Sequence, residues 1–187
     1  MKHKYLLGLA AGLLLAAGSF AAPFQGVQLD KSSITFRYKQ MGVAMDGKFG
    51  KFASTLSFDP AKPEQASATI DIDLASIDTG SGEGDDEVVG KPWFHTAAFP
   101  KAVFVLKQMK ATAPNVYEAS GTLSIKGRAR ELKFPVKYVA QGAKGQLSAS
   151  FTLARADFAI GEGVWSKFDV IANDVQVNFQ LTVQAGK

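Results

Sequence analysis

The chain has 187 residues, 47% of them hydrophobic and 20% charged, with 21 basic and 17 acidic side chains and no cysteine. Such a composition is globular rather than disordered or fibrous, and the lack of cysteine excludes a disulfide scaffold, a thiolate-ligated metal and a cysteine nucleophile. Two histidines, His3 and His95, leave almost nothing for a histidine-built metal site.

Residues 1–21 read as a secretory signal peptide. Lys2 and Lys4 supply the positive start, Tyr5 to Phe20 an uncharged apolar run, and Ser19 and Ala21 the small residues that precede a cleavage site. The strongly apolar part, Tyr5 to Ala17, is shorter than the ~20 residues that span a bilayer. Removal leaves one domain over residues 22–187, with 19 basic against 17 acidic side chains once Lys2 and Lys4 are gone. That near balance gives no electrostatic case for nucleic acid. An exported chain without cysteine needs no oxidative folding, and a periplasmic location is expected.

Beyond the leader the dominant pattern has period two. Ile34, Phe36 and Tyr38 alternate with Thr35 and Arg37; Ser54 to Phe58 is a shorter candidate. Ala66, Ala68, Ile70, Ile72 and Leu74 alternate with Ser67, Thr69, Asp71 and Asp73. Lys101 to Lys107 carries Val103 and Val105 on its second face, which predicts cover on both sides. Tyr117 to Lys126 follows, then Leu132, Phe134, Val136 and Tyr138, with Pro135 on the polar face predicting an edge or bulge. Leu147 to Leu153 and Val175 to Val183 complete the series, with Phe158 and Ile160 continuing or following the former. Such alternation marks strands with one wet face, the patterning of antiparallel sheets. Turns are predicted at Asp46-Gly47, Asp59-Pro60, Ala113-Pro114-Asn115, Lys126-Gly127 and between Gln141 and Gly145.

Gly80 to Phe99 breaks the period. Asp85 or Asp86 is expected to cap a short helix whose Val88 and Val89 face the core, ahead of Trp93-Phe94-His95. About eight half-buried strands cannot lie as an open sheet, because a whole apolar face would be wet. The expected fold is therefore all-β: an antiparallel closed β-barrel with a short helical segment in the long connection. A barrel of that size is either filled by its own side chains or holds one small ligand.

Few motifs point to catalysis. There is no G-x-S-x-G elbow to partner His95. The acidic cluster of Asp78, Glu83, Asp85, Asp86 and Glu87 lacks the spacing of a calcium loop and reads as a solvated helix start. Gly80-Ser81-Gly82-Glu83-Gly84 misses the third glycine of a dinucleotide fingerprint. Lys126, Arg128, Arg130, Lys133 and Lys137 form a basic patch that suits a phosphate headgroup or an anionic membrane surface, or else a charged outer face that prevents edge pairing. The abundant aromatics suit an apolar ligand pocket as well as a filled interior.

Taken in order, several fragments resemble the YceI-like family of polyisoprenoid-binding, lipocalin-like proteins of the bacterial envelope. They are Ser33-Ile34-Thr35-Phe36, Gly47-Lys48-Phe49-Gly50-Lys51-Phe52, Leu56-Ser57-Phe58-Asp59-Pro60, Ser76-Ile77-Asp78-Thr79-Gly80 and Trp93-Phe94-His95. Ala102-Val103-Phe104, Gly121-Thr122-Leu123-Ser124-Ile125-Lys126-Gly127, Arg155-Ala156-Asp157-Phe158 and Gly163-Val164-Trp165 follow. The resemblance implies a lipocalin-like barrel around a tunnel for a long isoprenoid, a polyprenyl phosphate or a quinone, with no catalytic activity, cofactor or metal. His95 stands where the family more often has Asp or Asn, and an Arg-Asp-x-His run common in relatives is missing from the helical segment.

An isoprenoid tail binds by apolar burial alone; at ~0.3 kcal/mol per heavy atom, ~30 carbons would supply ~9 kcal/mol. The expected wall comprises Phe36, Phe49, Leu74, Trp93, Phe94, Phe104, Leu123, Phe134, Phe151, Phe158, Trp165 and Phe179. Lys126, Arg128 and Arg130 are candidates for a phosphate. Two rival readings remain: a ligand-free module that docks a membrane-protein partner, and a hydrolase using His95 with a nearby carboxylate.

Overall fold

The structure, a computed structural model, describes residues 23–185; the signal peptide expected at 1–21 lies outside the described residues. Eleven strands and one α-helix form among them. The strands are β1 (Phe24–Val27), β2 (Ser33–Gln40), β3 (Val43–Phe49), β4 (Phe52–Phe58), β5 (Ser67–Asp73) and β6 (Ile77–Asp78). After α1 (Gly82–Val88) come β7 (Lys101–Ala113), β8 (Val116–Ile125), β9 (Arg128–Gln141), β10 (Lys144–Ala154) and β11 (Asp174–Ala185). The alternation read from the sequence is realised most cleanly on β8, where Tyr117, Ala119, Gly121, Leu123 and Ile125 turn inward and their neighbours do not.

Every strand pairing is antiparallel, and eight strands close into a barrel. The ring runs β1, β4, β5, β7, β8, β9, β10, β11 and returns to β1 through Val27↔Val183 and Phe24↔Ala185. β2 pairs with the other half of β11, from Ser33↔Gln180 to Arg37↔Gln176, so β1 and β2 share one strand end to end. β3 hairpins back on β2 and pairs with β6. Closure removes the wet apolar face that an open sheet of this length would carry. The β2–β3 and β8–β9 hairpins turn on two residues with positive φ, Met41-Gly42 and Lys126-Gly127, the geometry that matches strand twist.

Three local expectations need correction. Asp46-Gly47 is not a turn: both residues lie inside β3, opposite Arg37 and Phe36. Gly47 is there because the Phe36 ring lies across it, in space that a Cβ would need, with the Asp78 carbonyl also close. Gly47→Ala is therefore expected to displace Phe36 and to cost about 1–3 kcal/mol, the usual price of overpacking, readable as a lowered urea midpoint. The cap of α1 is Ser81, whose Oγ accepts from the Gly84 N–H at 3.1 Å, rather than Asp85 or Asp86. The second face of β7 is uncovered, and Val105 is exposed. Of the two alternatives for Phe158 and Ile160 the second holds: they follow β10 rather than extend it, with Phe158 ending a 3₁₀ turn, Arg155–Phe158.

Pro135 sits at a ladder end. Pairing of β9 with β10 runs from Gln141↔Lys144 to Val136↔Ala149 and stops there, one residue short of Pro135, while β8 stays paired to β9 down to Arg128. Behind the parted strands the Arg155–Phe158 turn packs against β9, and buried Phe158 shares an apolar cluster with Leu132 and Leu153.

The interior is filled at one end only. Near β1, Phe58 packs edge-on against Tyr117 and Tyr138, with ring centroids 5.3 and 5.5 Å away, and Phe24 lies beside them. Leu147, Leu181 and Val183 complete this plug. The other end is roofed by two connections, residues 79–100 with α1 and the strap of residues 155–173 between β10 and β11. They are tied together where the N–H groups of Gly161 and Glu162 donate to the Pro92 carbonyl at 2.8 Å each.

Candidate functional site: an apolar cavity under a two-part roof

Between plug and roof the barrel encloses a cavity of about 440 Å³, within the range of small-molecule sites. Its floor is made of phenyl rings. Phe134 stacks on Phe151 at 4.5 Å, meets Phe179 edge-on at 6.0 Å, and lies 5.6 Å from Phe104. The walls include Phe36, Phe49 and Leu123, with Phe36 and Phe49 in contact at 5.4 Å. Leu74, Trp93, Phe94 and Trp165 come in from the roof side. Thus every residue expected in the wall lines the cavity except Phe158, which packs behind it in the split between β9 and β10.

Beyond Leu74 and Leu123, sequence reasoning missed the aliphatic part of the lining. Ile70 and Ile72 on β5 and Val175 and Val177 on β11 also face the cavity; all four stand on the inward side of the alternation, which was the signal available. Three polar groups were missed as well. Tyr38 donates to the Thr79 carbonyl at 3.2 Å, and burial together with nearby Asp85 raises its phenol, keeping it a neutral donor. Glu87, assigned to a solvated cluster, accepts from both indoles: Trp93 Nε1 at 3.2 Å and Trp165 Nε1 at 2.8 Å. One carboxylate oxygen thereby joins α1 to both roof segments.

The third is Arg155. Its guanidinium faces the cavity yet donates to six backbone carbonyls: Ile160, Gly161, Trp165, Lys167, Ile171 and Ala172. It lies over the ring of Trp93 and against Phe168. Burial lowers its pKa, with no carboxylate paired to it among the described residues. Its donors are spent on the strap.

Two further charges singled out from the sequence, Asp85 and Lys126, are likewise committed. Asp85 accepts from the N–H and hydroxyl of Thr79 at 2.6 and 2.7 Å, fixing the start of α1 against β6. Lys126 donates to the Ala159 carbonyl and to Glu162, each at 2.7 Å, and that bond holds the Glu162 carboxyl below its ordinary range. Lys133 pairs with Glu118 on the outer face. No member of the basic patch lines the cavity. His95 does not line it either. Its ring packs on Phe99 at 5.8 Å and makes no hydrogen bond among the described residues. Its backbone is left-handed, φ 51°, a conformation that Asp and Asn tolerate best among residues with a side chain.

A family model of the YceI-like domain matches residues 26–183. The chain belongs to the YceI-like family. It is 31% identical over 148 residues to a UPF0312 protein of Yersinia pestis, which covers 76% of each chain. Among solved structures, this YceI-like barrel is similar to Burkholderia cenocepacia BcnA, 37% identical with a TM-score of 0.81, covering 83% of this chain and 98% of the other. It also superposes on a polyisoprenoid binding domain from Saccharophagus degradans, TM-score 0.68, covering 89% and 99%. At 18% identity that likeness concerns the fold.

Proposed function

We propose that this YceI-like protein is a periplasmic, non-enzymatic carrier that holds a long isoprenoid or similar lipid, tail on the phenyl floor and polar end at the roof. The observation that carries the reading is the half-hollow barrel: one end is plugged by Phe58, Tyr117 and Tyr138, and the other keeps an apolar void of about 440 Å³. An apolar void of that size in a folded interior costs stability, and its retention fits occupancy by an apolar guest. The polyisoprenoid binding named for the Saccharophagus degradans domain supports the same class of cargo. The leader at 1–21 supports export.

The lining favours an uncharged polar end. Its acidic groups are Glu83 and Glu87, and its one cation, Arg155, is saturated by carbonyls. A phosphate within the lining would meet carboxylates and no available lining cation, whereas the Gln40 amide and the Ser81 hydroxyl suit the carbonyl of a quinone. Neither metal nor cofactor is needed.

Native mass spectrometry of protein extracted gently from its expressing cells tests this. A bound lipid mass, or uptake of a polyprenyl quinone added in detergent, is expected. A bare mass that takes up no quinone overturns the carrier and favours the docking module.

A further inference from the structure

The large exposed hydrophobic residues are unevenly distributed. Of the eight among the described residues, Leu29, Val105 and Val139 lie on three different elements, the turn Leu29–Lys31, β7 and β9. The other five lie on two segments that roof the open end: Met41 and Val43 on the β2–β3 hairpin, and Val164, Phe168 and Val170 on the strap. Met41 and Val164 are the most exposed, at 71% and 88%. Hairpin and strap are joined: the Met41 N–H donates to the Val170 carbonyl at 2.7 Å, the Ala172 N–H to the Lys39 carbonyl at 3.0 Å, and Gln40 bridges Ile171. Gln40, Trp165 and Ile171, which are neighbours in sequence of these exposed residues, line the cavity. The greasy rim and the void are continuous.

The charges around the opening are sided. Lys39 and Lys167 are exposed on the rim and enter no ion pair among the described residues. The strap carries three acids, Asp157, Glu162 and Asp169; Glu162 is paired with Lys126, and the Asp169 carboxylate, the one beside Lys167, accepts from the Val170 N–H. On the other roof segment α1 presents Glu83 and Asp86, both exposed, while Glu87 is held by the two indoles. A surface bearing negative charge would attract the first side and repel the second.

We propose that the hairpin-and-strap side of the opening is a membrane-contact surface. On it Met41, Val43, Val164, Phe168 and Val170 enter the interface of an anionic leaflet, and Lys39 and Lys167 meet its headgroups. Exposed apolar clusters of this kind mark interaction sites, amphipathic surfaces bind bilayers through apolar burial plus attraction of Lys to anionic lipid, and a hydrocarbon cargo resides in bilayers. The proposal rests on the carrier reading and adds to it a route: lipid moves between leaflet and cavity past Gln40, Trp165 and Ile171, with α1 turned away.

The test is flotation of the mature protein with vesicles of phosphatidylethanolamine and phosphatidylglycerol, beside vesicles of phosphatidylcholine alone. The wild type is expected to float with the anionic vesicles, less so as salt rises. The double variant Met41→Glu, Val164→Glu, at the two most exposed positions, is expected to lose about tenfold in association while keeping its unfolding midpoint and its uptake of quinone from detergent. A wild type that stays in the aqueous fraction, a double variant that floats as well, or a self-associated state that buries the rim overturns the surface, even where quinone uptake is normal. Vesicle binding that the double substitution removes, in a protein that takes up no quinone, overturns the carrier reading and leaves the surface standing.

Discussion

Replacing Arg155 by methionine is expected to lower folding stability by about 3–5 kcal/mol, the scale of removing one partner from a buried charged network. The side chain is only 2% exposed and reaches six carbonyls spread over residues 160–172. Those carbonyls cannot form a ladder with one another, because the part of the strap that carries them, residues 160–172, is irregular apart from the short turn Gly163–Trp165. The guanidinium is the shared donor that lets this backbone lie against an apolar cavity. Methionine keeps the bulk beside Trp93 and Phe168 and removes every donor, so the loss measures the hydrogen bonds rather than the packing. Lysine keeps the charge but has three donors on one atom, too few and too close together for carbonyls on opposite sides, and is expected to restore less than half. Urea unfolding reads the total. Hydrogen exchange should show faster opening at 160–172 than in β7 or β8, with the closed barrel persisting. An unchanged midpoint in Arg155→Met would mean that the strap is held by Lys126, Pro92 and Glu87 without it.

Much of the barrel was legible because a half-buried strand writes its two faces into alternate residues. β2, β5, β9, β10 and β11 were read from that alternation, β8 was a weaker candidate, and Pro135 announced the end of the β9–β10 ladder. What escaped depends on residues distant in sequence. Gly47 reads as a turn until Phe36, eleven positions earlier, is laid across it. Ser81 and Asp85 look interchangeable as caps; Thr79 claims the Asp85 carboxylate and leaves the cap to Ser81. The same limit governed the site. Phe58, Tyr117 and Tyr138 plug one end, while Phe104, Phe134 and Phe151 leave room at the other. Ring-bearing residues occur in both halves, so composition cannot say which half is hollow; that follows from which rings share a level of the closed barrel. Arg155 was quoted for the family resemblance without a role, since nothing in a sequence distinguishes an arginine that cages carbonyls from one in water. The basic patch misled for the converse reason: Lys126 has the look of a free cation until Ala159 and Glu162 are placed beside it.

Phe104→Asp is expected to remove lipid retention, by roughly a hundredfold or more, since each ~1.4 kcal/mol is tenfold in affinity and an unpaired charge in an apolar wall costs several times that. Phe104 faces the cavity, lies 5.6 Å from Phe134, and stands among apolar neighbours with no cation free to meet a carboxylate. The aspartate would either stay ionised beside the guest or take up a proton, its pKa raised by burial; both outcomes weaken a tail held by apolar contact alone. The same change also strips a phenyl ring from the floor, which by itself costs about 3–5 kcal/mol of stability where a ring is fully buried, so lost retention in this variant has two causes. Val177→Trp separates them. Val177 lines the cavity between Phe36 on β2 and Phe151 on β10, its partners across the sheet, and an indole there grows into empty space. A void filled without a clash leaves the urea midpoint unchanged or raised, while the volume left for a hydrocarbon shrinks. Native mass spectrometry should then find a stable barrel with no guest. A tryptophan variant as stable as the wild type and still carrying its lipid would mean that the tail lies outside the space bounded by Phe36, Phe151 and Val177.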